Sequence, residues 1–399
     1  MGRASQQRAV GFIPAPASPA TRDYGKPTPQ SQQLLTVPDS VQLSMNPTAP
    51  PLPSLHIGPI EVGFPVVQAA LSGYSDWAMR VIARRLGASY TLCEVLLDRL
   101  VLEGGKRTRR FMKVTDEEHP VGGQLMGSDP AEFGPAAAEL AQTGFDVIDI
   151  NFGCPVKKVL GRCRGGFLLS QPDTALEIVS RVREAVPSQI PVTLKMRRGI
   201  DDSAQSRDNF YTIFDGAFER GAAAITVHGR TVEQRYIGPS RWEFLREVKQ
   251  HAGARTVLGS GDLFSAADCL QMIRQTGVDG VTAARGAIGN PWIFGQARAL
   301  AAGLPLPAPP TLFEQRDVIR EHYRLAEEIY GPHHCGRQMR KFGIKYSRLH
   351  PEAQQVRDAF VAVAQPGEWH TVLDRWYSQD LPGRCPEIEP ELADSCTAE

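Results

Sequence analysis

Hydrophobic and polar residues form a repeating pattern along the middle of the chain. From Pro59 onward, a short apolar run is followed by a turn and then by an amphipathic stretch, often closed by a glycine. Short apolar runs between turn residues are typical of buried strands, and apolar positions three and four apart are typical of helices. The pattern predicts strands over residues 65–69, 90–95, 121–126, 147–150, 192–196, 224–228, 256–259 and 280–284.

A helical stretch follows most of these strands. The helix after strand three has the clearest start, with Asp129 as N-cap, Pro130 at the first helical position and Glu132 completing a capping box. Others are expected over residues 76–86, 172–186, 208–220, 241–251 and 266–275, and Asn290-Pro291 opens a last one. Eight strand–helix units in roughly 245 residues predict an α/β fold, a closed parallel (β/α)8 TIM barrel.

The two ends of the chain differ from this middle region. Residues 1–58 are rich in Pro, Ser, Gln and Thr without periodicity, which predicts a disordered extension. The barrel is expected over 59–308. Residues 309–382 show only helical periodicity, over 313–330, 337–349 and 354–363, and predict a small α-helical domain. Residues 383–399 are expected to form a frayed tail.

Composition narrows the class of protein. The chain has 399 residues, a formal net charge of zero and 42% hydrophobic residues, so it can bury a large core and has no global attraction for nucleic acid or membrane. The seven cysteines are scattered and form no Cys-x-x-Cys pair, which argues against a disulfide framework or a zinc site. No apolar run suggests a membrane span or a signal peptide. We expect a monomeric cytoplasmic protein that binds neither membrane nor DNA and holds no metal.

The most informative stretch follows strand four. There the chain runs through Asn151 and Gly153 to Cys154 and Pro155, and then into a loop with four basic residues and no acid. Active sites of TIM barrels lie where strands end at their carboxyl side, so Cys154 is expected at the mouth. Three interpretations remain open: an inert small core residue, a general acid near its ordinary pKa, or a thiolate nucleophile favoured by the basic loop.

Other strand ends add candidate binding groups. Lys195 lies in an otherwise apolar strand and needs an anionic partner, either a neighbouring carboxylate or an anionic ligand such as a reduced flavin. The amide of Gln124 could pair with the edge of a heterocycle or simply lie in a turn. His228 is either a satisfied strand-end histidine or a ligand contact. Gly261 and Arg285, after strands seven and eight, indicate a phosphate site, with ordinary tight turns as the alternative.

These residues lie in motifs that resemble the tRNA-dihydrouridine synthases, over about residues 66–369. The motifs are Asp149-Ile150-Asn151-Phe152-Gly153-Cys154-Pro155-Val156-Lys157-Lys158-Val159, Lys195-Met196-Arg197, Val227-His228-Gly229-Arg230-Thr231 and Arg285-Gly286-Ala287-Ile288-Gly289-Asn290-Pro291-Trp292-Ile293-Phe294. The resemblance implies an FMN enzyme that uses NADPH to reduce uridine in tRNA to 5,6-dihydrouridine. It makes Cys154 the acid that protonates C5 of the uracil, while flavin N5 delivers hydride to C6.

The resemblance also implies the remaining site residues. Gln124 and Lys195 would contact the isoalloxazine ring, with His228 nearby. Asn151 would help hold the uracil, and Arg197 would be a further substrate-binding residue. The residues expected to hold the rest of the cofactor are Ala70, Leu71, Ser72, Ser260, Gly261, Asp262, Ala284 and Arg285. Five positions depart from the family pattern: the first turn reads Ala69-Ala70-Leu71-Ser72-Gly73 instead of Ala-Pro-Met-Ala-Gly, which changes three of them, Ser260 replaces Asn, and Ala284 replaces Gly. FMN binding survives these changes if the contacts are made by the backbone.

The tRNA requires a separate binding surface. Basic residues recur at spacings of three and four in the helical domain, interleaved with Phe342 and Tyr346: Arg337, Arg340, Lys341, Lys345 and Arg348. We expect Arg340, Lys341 and Lys345 to bind tRNA, the alternative being a solvated helix face. Further basic residues follow strand two. Competing functions are an FMN barrel acting on a small pyrimidine or enoate, which the helical domain argues against, and an RNA-binding protein without chemistry, which Cys154 and Lys195 argue against.

Overall fold

The computed structural model describes residues 51–386, and residues 1–50 and 387–399 lie outside the described part. Most of the predicted extension and tail therefore falls outside it. The strands, in chain order, are β1 Leu55–Ile57, β2 Ile60–Gly63, β3 Val66–Gln68, β4 Thr91–Leu92, β5 Leu96–Leu97, β6 Val121–Met126, β7 Val147–Phe152, β8 Val192–Arg197, β9 Ala222–His228, β10 Thr256–Ser260 and β11 Gly280–Ala283.

Strands β3 to β11 close into a parallel barrel. Their order around the sheet is β4-β3-β11-β10-β9-β8-β7-β6-β5, and β4 also pairs with β6, which completes the ring. β4 lies within the predicted second strand and β5 directly follows it, and both pair with β6, so the nine strands occupy eight positions. The predicted (β/α)8 fold is confirmed, and the third predicted strand has the observed bounds.

Helices surround the barrel and continue beyond it. They are α1 Trp77–Arg85, α2 Asp98–Glu103, α3 Lys106–Phe111, α4 Pro130–Thr143, α5 Lys157–Leu160, α6 Pro172–Ala185, α7 Ala204–Glu219, α8 Trp242–Ala252, α9 Ala266–Thr276, α10 Ile293–Ala301, α11 Leu312–Tyr330, α12 Pro332–Tyr346, α13 Ala353–Ala362 and α14 Pro366–Trp376. Asp129 caps α4 as predicted, by accepting the N–H of Ala131. The reciprocal contact of the predicted capping box is replaced by a pairing of Glu132 with Arg99 at 3.5 Å.

A hairpin formed by β1 and β2 covers the amino-terminal end of the barrel. Leu55, Ile57 and Val62 are buried there against Tyr90 and other residues of the lower barrel interior. The predicted boundary at residue 58 is therefore wrong for residues 55–57. The apolar residues of this hairpin are few and lie next to a Pro-rich stretch, so their periodicity is too short to recognise in the sequence.

The segment after the barrel is helical, as predicted, and α11 begins with a capping box between Thr311 and Glu314. Helix α14 was missed because Pro366-Gly367 reads as a break, although Pro is well suited to the first turn of a helix. The backbone N–H of Arg384 donates to the Leu349 carbonyl at 2.9 Å. The tail is therefore attached at its first residues, and residues 387–399 of the predicted tail lie outside the described part.

The helical segment packs on the turn that follows β3. Tyr330 donates a hydrogen bond to Asp76 at 2.8 Å, and the Tyr74 and Phe342 rings meet edge to face at 5.4 Å. This contact brings α11 and α12 close to the mouth of the barrel. In residues 51–386, no helix is long and apolar enough to cross a membrane.

Candidate active site

A chain of buried polar side chains crosses β6, β7 and β8 at the mouth of the barrel. Asp149 accepts hydrogen bonds from Thr193 at 2.6 Å and from Nε2 of Gln124 at 2.7 Å. Oε1 of Gln124 accepts from Nδ2 of Asn151 at 2.8 Å. Parallel register brings Gln124, Asp149 and Thr193 side by side, so the strands themselves align these groups.

The same chain ends at Cys154. Oδ1 of Asn151 accepts the backbone N–H groups of Gly153 at 2.9 Å and Cys154 at 3.1 Å. On its other side, the Cys154 carbonyl accepts the N–H of Gly166 at 3.0 Å. A Cβ on Gly165 would lie 2.8 Å from the Cys154 Cβ, so the loop can close on the cysteine only with glycine there. Cys154 is half-buried and its backbone is held from two directions.

Lys195 lies next to Asn151 in the register of β7 and β8. Burial and the neighbouring Arg197 lower the pKa of Lys195 to about 8, while Asp149 and Cys154 act in the opposite direction. Within the described part of the chain, Lys195 forms no salt bridge, so the alternative of a carboxylate partner on a neighbouring strand is not realised. The ammonium group is left with the capacity to meet an anionic ligand.

His228 is a neutral hydrogen-bonding group at the end of β9. Its Nδ1 accepts the backbone N–H of Arg230 at 3.1 Å, which leaves the proton of the neutral ring on Nε2. Burial, followed by the charges of Arg197, Lys195, Arg230 and Arg285, lowers the pKa of His228 well below its usual value. The ring is therefore a fixed donor and does not add to the positive charge of the site.

Arg197, at the end of β8, is anchored to three backbone carbonyls of the surrounding loops. Its Nε donates to the Gly153 carbonyl at 2.9 Å, and Nη1 donates to the carbonyls of Thr231 at 2.8 Å and Arg235 at 2.7 Å. The side chain is buried, and burial lowers its pKa to about 10. These bonds use Nε and Nη1 but not the two hydrogens of Nη2, so the expectation that Arg197 binds substrate stays a prediction.

The loops after β10 and β11 approach each other closely. A Cβ on Gly286 would lie 2.2 Å from the Leu263 carbonyl oxygen, and one on Gly261, whose φ is +117°, would lie 2.3 Å from Oγ of Ser240. Buried Ser260 accepts the N–H of Gly229 through its carbonyl at 3.3 Å, and half-buried Ala284 precedes the short turn Arg285–Ala287. Both predicted phosphate loops thus lie together, backbone against backbone.

Charged side chains of these two loops are linked. Asp262 has φ +57°, accepts a hydrogen bond from Arg230 at 2.8 Å and lies 3.5 Å from Nη2 of Arg285. The Arg285 guanidinium also lies 4.8 Å from the Tyr236 ring centroid. Asp262 therefore orients two guanidinium groups. Tyr236, which the sequence analysis did not single out, lies between Arg285 and Arg197, whose guanidinium is 5.6 Å from the same ring.

This donor set fits an anionic cofactor with a phosphate. Lys195, Arg197, Arg230 and Arg285 bring four positive charges around His228. Buried cations require anions, and Asp149 and Asp262 supply only part of the negative charge. Close-packed glycine loops at strands seven and eight of a TIM barrel are a common phosphate site. The predicted residues of the site are thus brought together at one end of the barrel.

The turn after β3 is fixed by charges from two directions. The N–H of Gly73, at φ +74°, donates to Glu94 at 2.5 Å, and the Gly73 carbonyl accepts from Nζ of Lys341. Burial, with Asp76 nearby, raises the pKa of Glu94 to about 7. Ala70 and Leu71 are half-buried and Ser72 is exposed at the tip. The backbone of Leu71 is used within the turn, since its N–H donates to Oγ of Ser75 at 2.8 Å and its carbonyl accepts the N–H groups of Tyr74 and Ser75. Cofactor contacts of this turn stay a prediction.

The basic face predicted on α12 is largely turned toward the rest of the protein. Lys341 contacts Gly73, Arg348 donates to the Ile288 carbonyl at 2.7 Å, and the Lys345 backbone packs on Gly289. Nη1 of Arg340 lies 3.5 Å from the Val363 carbonyl. These contacts do not test tRNA binding, so the expectation that Arg340, Lys341 and Lys345 bind tRNA stays a prediction. Spacing alone identified the face but not what covers it.

Exposed basic residues are found instead around the mouth, on elements that follow barrel strands. The residues of α3 and of the Cys154 loop that are exposed are Lys106, Arg109, Arg110, Lys157, Lys158 and Arg162.

Asp149 and Glu94 were the main groups whose roles the sequence analysis missed. An acid two residues before Asn151, on the same face of the strand, was the available signal for the first.

Known proteins resemble this chain over most of its length. A probable tRNA-dihydrouridine synthase from Mycobacterium tuberculosis is 37% identical over 334 residues, which cover 82% of this chain and 85% of that protein. tRNA-dihydrouridine synthase B from Xanthomonas campestris pv. campestris is 35% identical over 328 residues, covering 82% and 96%. The family model for dihydrouridine synthase matches residues 67–380. As its motifs predicted, the chain belongs to the dihydrouridine synthase family.

Proposed function

We propose that this protein reduces specific uridines in tRNA to 5,6-dihydrouridine, with FMN as cofactor and NADPH as reductant. The observation that carries the proposal is the hydrogen-bonded chain that ends at Cys154, beside the buried ammonium of Lys195. It combines a fixed thiol with a buried cation at the mouth of a TIM barrel. Family membership supports the same reaction class.

The residues that would hold FMN come from four strand ends. Lys195 and the second amide hydrogen of Gln124 suit the polar edge of the flavin ring, and His228 offers a neutral donor. The loops at 260–262 and 284–285, with the Arg285 guanidinium, suit its phosphate and ribityl chain, and the turn at 70–72 lies across the mouth. Reduced FMN would supply the hydride for C6 of the uracil.

Cys154 would supply the proton for C5. A general acid must reach its target at hydrogen-bonding distance, and the backbone contacts of Cys154 fix where its thiol starts. The second hydrogen of Asn151 Nδ2 is available to a uracil carbonyl. Arg197 would act indirectly, as a positioning residue that holds Gly153.

The tRNA would be bound by exposed cations around the mouth. Lys157, Lys158 and Arg162 follow the strand that carries Cys154, and α3 adds Lys106 and Arg109. Because loops after parallel barrel strands lie at the same end, these residues share the face that bears the thiol. Phosphate contacts there would offset the few kcal/mol that unstacking of the target base costs. A cytoplasmic monomer remains part of the proposal.

The direct test supplies the purified protein with FMN, NADPH and unmodified transcribed tRNA, and locates dihydrouridine by mass spectrometry of the RNase fragments of the tRNA. Dihydrouridine should form at defined positions and only with the reductant. Free uracil and uridine serve as small-molecule substrates in parallel. Their reduction without any product in tRNA would contradict the proposal and support a small-molecule reductase.

A further inference from the structure

The two amides of the chain from Asp149 to Cys154 can each point in either of two directions. At one end lies a carboxylate, which accepts hydrogen bonds when ionised. At the other end lie the backbone N–H groups of Gly153 and Cys154, which can only donate. The ends therefore require the same arrangement: Gln124 donates toward Asp149, and Asn151 accepts from the cysteine loop.

This direction determines what the mouth offers to a ligand. Each amide nitrogen carries two hydrogens, and one hydrogen of each is used within the chain. Their second hydrogens are donors. If the chain ran the other way, the amide oxygens would exchange places with these nitrogens, and Asn151 would direct a donor at two backbone donors.

We propose that Asp149 is a positioning residue that sets the direction of the Gln124–Asn151 amide pair and, through it, the placement of Cys154. Asp149 is 2% exposed and touches Gln124 and Thr193, so it acts through other groups and not on a substrate. Its chemical effect is to keep a donor edge at the mouth, which matches the carbonyl oxygens of a pyrimidine dione or a flavin.

This inference rests on the proposed function only in identifying the ligands of the mouth as a flavin and a uracil. Its test uses folding and thiol chemistry, so it can fail or succeed independently of whether tRNA is reduced. It compares the full-length protein with variants that reverse donors and acceptors along the chain.

The central experiment is a reversal of the network. Asn151→Asp keeps the acceptor for Gly153 and Cys154 but cannot donate to Gln124, so we expect a lower urea midpoint. Asp149→Asn alone should be tolerated, because its amide oxygen can face Gln124 while its nitrogen faces the Thr193 hydroxyl. In Asp149→Asn with Asn151→Asp, Gln124 can turn over and every donor again meets an acceptor, so most of the lost stability should return.

A matched control separates hydrogen-bond direction from charge. Asp149→Leu with Asn151→Asp also removes the repulsion between two carboxylates, but it provides no donor for Gln124. We expect this pair to recover much less than the Asn–Asp pair. Equal recovery in both pairs, no recovery in either, or an Asn151→Asp protein as stable as wild type would each overturn the proposal.

The functional consequence is measured at the thiol. Iodoacetamide labelling of Cys154, resolved by peptide mass spectrometry, is compared with exposed Cys385 in the same sample. Asp149→Leu should change the Cys154 rate roughly 2- to 10-fold, the range expected from one net hydrogen bond, while Asp149→Asn stays close to wild type. If Asp149→Leu lowers stability but leaves the labelling ratio unchanged, Asp149 serves the fold alone and the proposal is rejected.

Discussion

The ammonium group of Lys341 donates to the backbone carbonyl of Gly73, so a helix outside the barrel contacts the turn that follows the first barrel strand. Glu94 holds the N–H of the same residue from the opposite direction. One glycine is thus held by an ammonium group of the helical segment and a carboxyl group of the barrel. The turn expected to contact the cofactor depends on both parts of the protein.

Lys341→Met should therefore weaken FMN binding. Loss of a charged hydrogen bond to the turn is expected to raise the dissociation constant roughly 3- to 30-fold, because the turn must be ordered on binding. The measurement is quenching of FMN fluorescence by apoprotein. Arg337→Met, at an exposed position of the same helix, is the matched control and should bind FMN like wild type. Equal FMN affinity in the two variants would show that the contact between Lys341 and this turn does not contribute to FMN binding.

Glu94 should make stability depend on pH. Its pKa is raised to about 7 in the folded protein from an ordinary value of 4.5, so the folded state holds a proton that the unfolded chain has lost. Stability contributed by this proton is complete below about pH 4.5 and is lost as pH rises through about 7. Glu94→Gln should remove this loss, a difference of about 2 kcal/mol between pH 5 and 8 in urea unfolding. A Glu94→Gln variant that kept the wild-type pH slope would contradict this assignment.

Cys154→Ala should retain flavin and lose turnover. Removal of a positioned general acid typically costs about 10²- to 10⁴-fold in rate. Single-turnover formation of dihydrouridine at matched flavin content measures the loss. Cys163→Ala is the control, since Cys163 is an exposed cysteine of the same loop. Comparable activity in both variants would remove Cys154 from the role of proton donor.

The charge of the Cys154 loop should determine tRNA affinity. Lys157→Ala with Lys158→Ala is expected to weaken binding at low salt and to reduce the slope of log affinity against log salt by about one to two, since each lost phosphate contact removes about 0.7–0.9. The control pair is Arg181→Ala with Arg274→Ala, two exposed residues on helices that run back along the barrel. Equal slopes in the two pairs would locate the tRNA surface elsewhere.

Much of the fold could be predicted because the barrel repeats one signal many times. The strand with Gln124 was predicted with its observed bounds, and Asp129 was identified as a helix cap from its chemistry. Strand two was harder. Of the predicted residues 90–95, only Thr91–Leu92 form a strand, and Glu94 turns toward Gly73, a contact that no periodicity encodes.

The sequence predicted which residues lie at the strand ends that form the site, but it did not predict the hydrogen bonds between them. Because Cys154, Lys195 and His228 each follow or end a predicted strand, their proximity at the mouth could be predicted from the sequence. Which donor meets which acceptor depends on parallel register, which places Gln124 beside Asp149. The basic helix is a related case: a helical spacing defines a face, but the Gly73 carbonyl that Lys341 contacts lies 268 positions away in the chain.

The hairpin β1–β2 has a kinetic consequence. It covers one end of a barrel whose interior is filled by side chains, so among the described residues the open end is the mouth above Asn151. If the protein works as proposed, nicotinamide and uracil must then reach one flavin by a single entrance and exclude each other. Initial rates should follow a ping-pong pattern, with parallel double-reciprocal lines for NADPH and tRNA.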